Sequence, residues 1–229
     1  MSEKHLILKS EASDDDFPLQ VKTPTRGPLA VDVTRLYSER GLFTYDPGFM
    51  STASCESSIT YIDGEEGVLE YRGYPIQQLA EQADYLEVAY LLLYGELPDR
   101  RQLDEFNNII THHTMLNETL TNFFTGFHHN AHPMAIMVGV VGSLSAFYHD
   151  SLNIKDPRHR EISAHRLIAK MPAIAAACYK HNIGEPIIYP RNTLSYCANF
   201  LHMMFATPCE DYEPHPTAVT ALNLLFILH

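Results

Sequence analysis

The chain has 229 residues, 45% of them hydrophobic, which is enough to bury one large core or two small ones. Its formal net charge of -12 repels polyphosphate backbones, so nucleic acid is not an expected partner. An acidic run follows a short apolar stretch at the N-terminus, unlike a secretory signal, and no apolar run is long enough for a membrane span. These features predict a cytoplasmic globular protein with no membrane partner.

Strand signals are concentrated in the first 75 residues. Alternating or β-branched apolar runs occur at residues 6–8, 58–62 and 68–71. Asp63-Gly64 lies between the last two runs and is typical of a turn. A short hairpin is therefore predicted over residues 58–71.

Helical signals dominate the chain from about residue 75 onward. Two capping boxes mark the first helices, Asp84 with Glu87 before a helix at 85–94, and Asp99 with Gln102 before the next. Further helices are predicted at 117–128, 134–148, 158–181, 192–205 and 216–229. The predicted fold class is mainly α, with a small β-containing N-terminal region.

The sequence makes further predictions for the last two of these helices. Asn192 is interpreted as the N-cap of the helix at 192–205. The helix at 216–229 is apolar and has no stop signal, and its Leu222, Leu225 and Phe226 require a partner surface. We therefore expect the chain to be truncated within this helix.

Disulfide and metal sites find little support in the sequence. The four cysteines are widely spaced and include no C-x-x-C pair, so reduced thiols are expected. Several histidines lie between residues 112 and 132, but adjacent histidines on a helix point about 100° apart, and no i,i+4 pair has an acidic neighbour. Solvated or helix-terminal histidines are the favoured interpretation, and no metal is expected.

A basic cluster is unusual in so acidic a chain. Arg166 and Lys170 are four residues apart, so both project from one helix face and could hold a phosphate or carboxylate. The alternative is a solvated helix face paired with Glu161. Nearby, the sequence Tyr148-His149-Asp150 suggests a His–Asp dyad, but adjacent residues on a helix do not orient each other in that way. A Tyr148 hydroxyl at the edge of the core is the favoured interpretation.

Several long motifs occur in order along the chain. They lie at residues 46–57, 71–76, 113–115, 132–134, 146–151, 153–161, 189–192 and 199–205, and include Asp46-Pro-Gly-Phe-Met and Asn199-Phe-Leu-His-Met-Met-Phe. Together they resemble the hexameric citrate synthases of Gram-negative bacteria. The likeness extends over about residues 40 to 229.

The resemblance implies a small β-containing region at 1–45 and, at 46–229, the N-terminal part of a multi-helical large domain. It also implies the family's reaction, in which oxaloacetate and acetyl-CoA condense with water to citrate and CoA without a required cofactor. The family's catalytic residues match no position here, so the chain alone is expected to be inactive, and His229 is expected to begin the oxaloacetate-binding motif. The full-length protein is expected to be a homo-oligomer, from dimer to hexamer.

In the resembled subfamily, NADH inhibits from a site separate from the active site. The matching positions here are His113, Thr114, Met115, Tyr148, Arg166, Lys170, Asn192, Thr207, Cys209 and Glu210. The spacing of Arg166 and Lys170 then fits a grip on a diphosphate. One position departs from the pattern, because His112 stands where relatives usually have arginine, which reduces the expected charge and bidentate contact.

Two alternatives remain at this point. A 2-methylcitrate synthase would use propionyl-CoA instead of acetyl-CoA, and the match to the NADH site favours citrate synthase over it. A non-catalytic nucleotide-binding or interaction module is an alternative from a different functional class.

Overall fold

A computed structural model describes residues 4–10 and 13–229 of the protein. Its strands are β1 (His5–Ser10), β2 (Ser13–Lys22), β3 (Ala30–Val31), β4 (Thr60–Asp63), β5 (Val68–Tyr71) and β6 (Tyr74–Pro75). Its α-helices are α1 (Leu36–Arg40), α2 (Ile76–Gln82), α3 (Tyr85–Tyr94), α4 (Arg100–His113), α5 (Glu118–Phe123), α6 (Pro133–Phe147), α7 (Pro157–Ile183), α8 (Tyr196–Phe205) and α9 (Pro216–Leu228). The mainly α fold class is confirmed, and the chain divides into two compact units, Met1–Ile76 and Gln77–His229.

The N-terminal unit contains two three-stranded antiparallel sheets, ordered β1-β2-β3 and β4-β5-β6. In the first sheet, Phe17 and Leu19 alternate along β2 and pack with Leu36 of α1 in a small core. The predicted strand at 6–8 is confirmed within β1. Strand β2 is not among the predicted strands, although its alternation of apolar residues is a strand signal. The domain boundary expected between residues 45 and 46 stays a prediction.

Strands β4 and β5 confirm the predicted hairpin. Their antiparallel register begins with Thr60 opposite Tyr71. At the turn, Asp63 Oδ1 accepts the backbone N–H groups of Glu65 and Glu66 at 3.1 and 3.0 Å. An aspartate side chain that mimics a backbone acceptor in this way stabilises a tight turn.

Both predicted capping boxes are present in the second unit. Asp84 accepts the backbone N–H of Glu87 at 2.9 Å, and Glu87 accepts the N–H of Asp84 at 2.8 Å. Asp99 and Gln102 make the same reciprocal pair at the start of α4, at 2.8 Å in both directions. Gly95 ends α3 in the left-handed conformation, with φ of 95°, which a residue with a Cβ adopts at a cost.

Helix α7 is the central helix of this unit and packs against α4, α6 and α8. Small residues on its buried face let the neighbouring helices approach closely, namely Ala169, Ala173, Ala176 and Ala177. Large side chains from the surrounding elements fill the remaining core, among them Phe124, Ile136 and Met203. Each such residue stabilises the fold by roughly 1.5–3 kcal/mol relative to an exposed position.

Helix α6 confirms the helix predicted at 134–148, and it lies in the core. Ile136, Val140 and Leu144 recur every four residues and are all buried. Pro133 occupies its first turn, where the missing N–H has no consequence. In the part of the chain that the structure describes, no helix is both long and apolar enough to cross a membrane.

Two predicted helices are shorter than the sequence suggested. The helix expected at 117–128 ends at Phe123 and continues as a 3₁₀ turn to Gly126. The helix expected at 192–205 begins at Tyr196, with Ser195 in the extended N-cap conformation. The interpretation of Asn192 as the N-cap is therefore wrong, because residues 191–194 form a separate turn before the helix.

Helix α9 finds a partner surface for part of its apolar face. Phe226 packs against Tyr85, Tyr196 and Phe200, with ring centroids 5.3, 6.2 and 5.8 Å away. Asn223 accepts the backbone N–H of Tyr85 at 2.8 Å and so satisfies a donor at the start of α3. The requirement for a partner is therefore met for Phe226, whereas Leu225 stays exposed.

All four cysteines are free thiols, as expected. Cys178 and Cys197 are buried, and burial raises the pKa of their thiols to about 11 and about 12. Neither forms the reactive thiolate at neutral pH.

Candidate functional site

The C-terminus of α4 is closed by a lysine from α7. The last carbonyl groups of α4 have no partner within the helix, which ends at His113. The Lys170 ammonium donates to the carbonyl oxygens of His113 and Met115, at 2.7 Å each. Lys170 is only 3% exposed, so these bonds replace most of the hydration that its ammonium has in the unfolded chain.

Tyr148 lies against both cations of the predicted pair. The centroid of its ring is 4.7 Å from the guanidinium carbon of Arg166 and 5.1 Å from the Lys170 nitrogen. The face of an aromatic ring attracts cations, so the ring stabilises two like charges that are four residues apart on one helix. Burial raises the pKa of the Tyr148 hydroxyl.

Arg166 is already engaged by a carboxylate. Its two terminal nitrogens donate to the two oxygens of Asp150, at 2.5 and 2.8 Å, and one of them also donates to the Ser151 hydroxyl at 3.0 Å. The guanidinium lowers the pKa of Asp150 to about 2, and the carboxylate in turn raises the pKa of Arg166. The pair is therefore charged throughout the physiological pH range.

These contacts test two alternatives raised by the sequence, an ion pair with Glu161 and a His149–Asp150 dyad. Pairing of the cations with Glu161 is wrong, because Glu161 accepts a hydrogen bond from the Tyr94 hydroxyl at 2.7 Å, while Arg166 bonds Asp150. A dyad of His149 and Asp150 is likewise not formed, because the Asp150 carboxylate faces Arg166.

Lys170 has an unusual electrostatic environment. Burial, and secondarily the charge of Arg166, lower its pKa from 10.5 to about 8. The lowered pKa means that the two carbonyls and the Tyr148 ring offset only part of the removal of the ammonium from water. An anion placed beside Lys170 would add to this compensation, which makes the neighbourhood suitable for phosphate or carboxylate groups.

The polar side chains at the end of α4 bond back to their own helix. His112 and His113 each place Nδ1 near the carbonyl oxygen four residues earlier, Asn108 at 2.8 Å and Ile109 at 2.7 Å. The buried Thr114 hydroxyl donates in the same way at 2.9 Å. These bonds fix the orientation of the helix end that Lys170 closes.

An open cleft of about 720 Å³ adjoins this helix end. Its lining residues are Thr111, His112, Met115, Glu118, Tyr189, Pro190 and Asn192. Met115 connects the cleft to the cation pair, because its carbonyl oxygen accepts from Lys170. The structure thus brings His113, Thr114, Met115, Tyr148, Arg166 and Lys170 together and places Asn192 across the cleft.

Sequence reasoning did not name four residues of this cleft as site residues, Thr111, Glu118, Tyr189 and Pro190. Glu118 and Tyr189 come from segments far apart in the chain, and the tyrosine hydroxyl donates to the carboxylate at 2.7 Å. Tyr189 begins one of the motifs, so the motif offered a signal for it, whereas Glu118 carries no local signal.

The turn after α8 holds the last three predicted residues, Thr207, Cys209 and Glu210. It lies beside Lys180, whose ammonium donates to the carbonyl of Ala206 at 2.9 Å. Lys180 follows Lys170 by ten residues along α7, a distance of about 15 Å. The turn is therefore not in contact with the cation pair. His229 follows α9 and is exposed.

Histidines do not gather into a metal-binding group. His129 and His181 stack with centroids 4.6 Å apart, and each has a ring nitrogen near a backbone carbonyl. Among the described residues, no cluster of three or more His, Cys, Asp or Glu side chains is arranged to hold a metal ion.

The sequence matches the family model described as "Citrate synthase, C-terminal domain" over residues 48–229. The chain belongs to the citrate synthase family. The helical fold agrees with this assignment, since solved citrate synthases superimpose on it over about three quarters of the chain or more.

Three solved citrate synthases illustrate the relationship. The Pyrobaculum aerophilum enzyme is 34% identical, with a TM-score of 0.68 over 76% of this chain and 44% of its own. The Thermotoga maritima enzyme is 30% identical, with a TM-score of 0.66 over 81% of this chain and 46% of its own. The Thermoplasma acidophilum enzyme, solved with carboxymethyl coenzyme A and oxaloacetate, shares the fold at 23% identity, with a TM-score of 0.70 over 78% and 45%. The chain spans less than half the length of each.

Replacing Lys170 by methionine tests the buried ammonium through the pH dependence of stability. The folded pKa of about 8 lies below the ordinary 10.5, so the unfolded chain binds more protons between these values. The stability that Lys170 contributes must therefore rise with pH across this window. We expect the variant to be less stable by about 1–3 kcal/mol at pH 7, because two carbonyls lose a donor, and the deficit to grow toward pH 10.

Urea unfolding of both proteins at several pH values measures this difference. Lys155→Met, at an exposed position, serves as the control and should show a difference that does not change with pH. If the loss of stability in Lys170→Met stays constant or decreases as the pH rises, the lowered pKa of Lys170 is contradicted.

Proposed function

We propose that the protein is a citrate synthase that condenses oxaloacetate with acetyl-CoA and water to give citrate and CoA, without a required cofactor. It works in the cytoplasm as a homo-oligomer. Membership of the family supports this proposal, and so does the binding of a coenzyme A analogue and oxaloacetate by the Thermoplasma acidophilum enzyme. We also propose that the residues that catalyse the family's reaction are not among these 229 and that His229 belongs to the oxaloacetate-binding motif.

An assay of the purified chain tests the catalytic part of the proposal. With oxaloacetate and acetyl-CoA, we expect no release of CoA above the uncatalysed rate. The full-length protein should release CoA faster with acetyl-CoA than with propionyl-CoA. Turnover by the chain alone would refute its expected inactivity. A preference for propionyl-CoA in the full-length protein would refute the assignment of acetyl-CoA as the substrate.

We further propose that the described residues form a regulatory site for NADH, of the hexameric type found in Gram-negative bacteria. The observation that carries this proposal is that Arg166 and Lys170 both lie against the Tyr148 ring. Two cations at this spacing match the charge of a diphosphate, and Lys170 lacks full compensation for its charge.

Binding of the diphosphate involves an exchange of anions at Arg166. The guanidinium holds the Asp150 carboxylate, so a phosphate that takes the same face must displace it. Asp150 is exposed and can turn into water when released. The net affinity is then the difference between the phosphate contact and the existing ion pair.

The nucleoside portions of NADH extend to either side of this centre. The cleft beside Met115 and Asn192 accepts one of them. The turn that carries Thr207, Cys209 and Glu210 meets the far end of the ligand. His112 contributes less to binding than an arginine would, because an imidazole does not offer the bidentate contact of a guanidinium.

Loss of either cation should weaken NADH binding by at least about tenfold, since Arg166 supplies a charge-assisted contact to the diphosphate, and the buried Lys170 supplies a nearby positive charge and holds the end of α4. Isothermal titration of NADH into the chain and into Arg166→Gln and Lys170→Met measures the effect. Arg158→Gln, an exposed position on the same helix, is the matched control and should bind as the unaltered chain does. If Arg158→Gln weakened NADH binding equally, the effect would come from the net charge of the protein and not from this site.

Replacing Asp150 by asparagine tests the anion exchange. The amide keeps the size of the side chain but removes the competing charge, so NADH should bind about three- to tenfold more tightly. The same titration measures this change, with Asp156→Asn, a helix-capping position, as the control. Weaker binding in Asp150→Asn would mean that the carboxylate holds Arg166 in place for the ligand instead of competing with it.

A further inference from the structure

A buried histidine of α7 belongs to a polar cluster that the proposed function does not use. His165 is only 8% exposed, and its Nε2 lies 2.7 Å from the hydroxyl oxygen of Tyr94, the last residue of α3. The same hydroxyl donates to Oε1 of Glu161, one turn earlier on α7, at 2.7 Å. Tyr94 and Glu161 are exposed, so the cluster extends from solvent to a buried imidazole.

The chemistry of the three groups assigns the hydrogens of this cluster. The Tyr94 hydroxyl has one hydrogen, which it donates to the Glu161 carboxylate, because a carboxylate can only accept. The other short contact then requires that Nε2 of His165 carries a hydrogen and donates it to the Tyr94 oxygen. A neutral ring satisfies this arrangement with Nδ1 unprotonated. The end of α3 is thereby hydrogen-bonded to α7 by an uncharged imidazole.

The surroundings of His165 oppose a positive charge. Its ring packs in a T-shaped arrangement against the buried Phe106 of α4, with centroids 5.5 Å apart. Among the described titratable groups that face it, Glu161 of α7 favours the imidazolium, and His113 of α4 opposes it. Tyr94 of α3 stays neutral, because burial raises its pKa. Burial of the imidazole outweighs the effect of Glu161, so the pKa of His165 lies below its ordinary 6.5.

We propose that His165 is a pH-sensitive contact that holds the end of α3 on α7 while it is neutral and releases it when it is protonated. Protonation adds a hydrogen at Nδ1 and places a full charge on a ring that is shielded from water, which destabilises the closed arrangement. Tyr94 forms the exposed side of the cluster, so its displacement lets water reach the ring. The inference is independent of the proposed NADH site and of the proposed condensation reaction.

The direction of the pH dependence follows from the lowered pKa of His165. When α3 is released, the hydrated imidazole regains an ordinary pKa of 6.5, above its value in the closed arrangement. The released state therefore binds more protons as the pH falls below about 6.5, and the contact loses stability there. Well above that pH, the imidazole is neutral in both states and the contact has its full strength.

Amide hydrogen exchange in α3, measured by mass spectrometry at about pH 7.5 and about pH 5.5 and corrected for the intrinsic effect of pH, tests the inference. In the unaltered chain, the last turn of α3 should exchange at least about threefold faster at the lower pH. In His165→Gln, whose side-chain amide can still donate to Tyr94 but does not titrate, the corrected rate should not change with pH. His149→Gln, at an exposed position, is the matched control and should behave as the unaltered chain does.

Glu161→Gln provides a second measurement that leaves the imidazole in place. It keeps an acceptor for the Tyr94 hydroxyl but removes the charge that favours the imidazolium, so the acid-induced increase in exchange should become larger. An unchanged or smaller increase in this variant would overturn the inference, because the titrating group would then not lie beside Glu161. The inference is equally wrong if the increase is absent from the unaltered chain, persists in His165→Gln, or extends equally to α6.

Discussion

The buried ammonium of Lys170 is the contact on which the polar organisation of the helical unit depends. A charge removed from water destabilises a fold by several kcal/mol unless it is hydrogen-bonded. Here two carbonyls at the end of α4 and the Tyr148 ring at the end of α6 supply that compensation, and α7 supplies the lysine. One side chain therefore fixes the ends of two helices against a third, and the geometry of the candidate site follows from the packing of the core.

The same arrangement bears on the proposed binding of an anion. The lowered pKa of Lys170 means that the carbonyls and the ring only partly offset its removal from water, while Arg166 is satisfied by Asp150. A ligand with two phosphates would meet one cation that gains from its arrival and one that must first give up a partner. Because these effects oppose each other, modest changes in Asp150 or in its loop can adjust affinity without altering the fold.

Local signals predicted much of the fold, and contacts between distant segments account for what was missed. The capping boxes at Asp84 and Asp99 were predictable because each involves residues three positions apart. The spacing of Arg166 and Lys170 likewise predicted a shared helix face. Nothing in that spacing showed that Asp150 or the carbonyl of His113 would face them, since those partners lie 16 and 57 residues away. The start of α8 was misplaced because Asn192 is a good cap residue that tertiary structure uses in a turn.

The overall charge of the chain bears on how the proposed NADH site could gain affinity. A net charge of -12 repels an anionic dinucleotide at long range, so electrostatic steering cannot supply the affinity. At physiological ionic strength this repulsion is screened beyond about 8 Å, whereas contacts in a poorly solvated environment are screened much less. Lys170 and Tyr148 provide such an environment. The proposed recognition of a dinucleotide would thus depend on short-range order at the ends of α4, α6 and α7, where the position of each charge is set by helix packing.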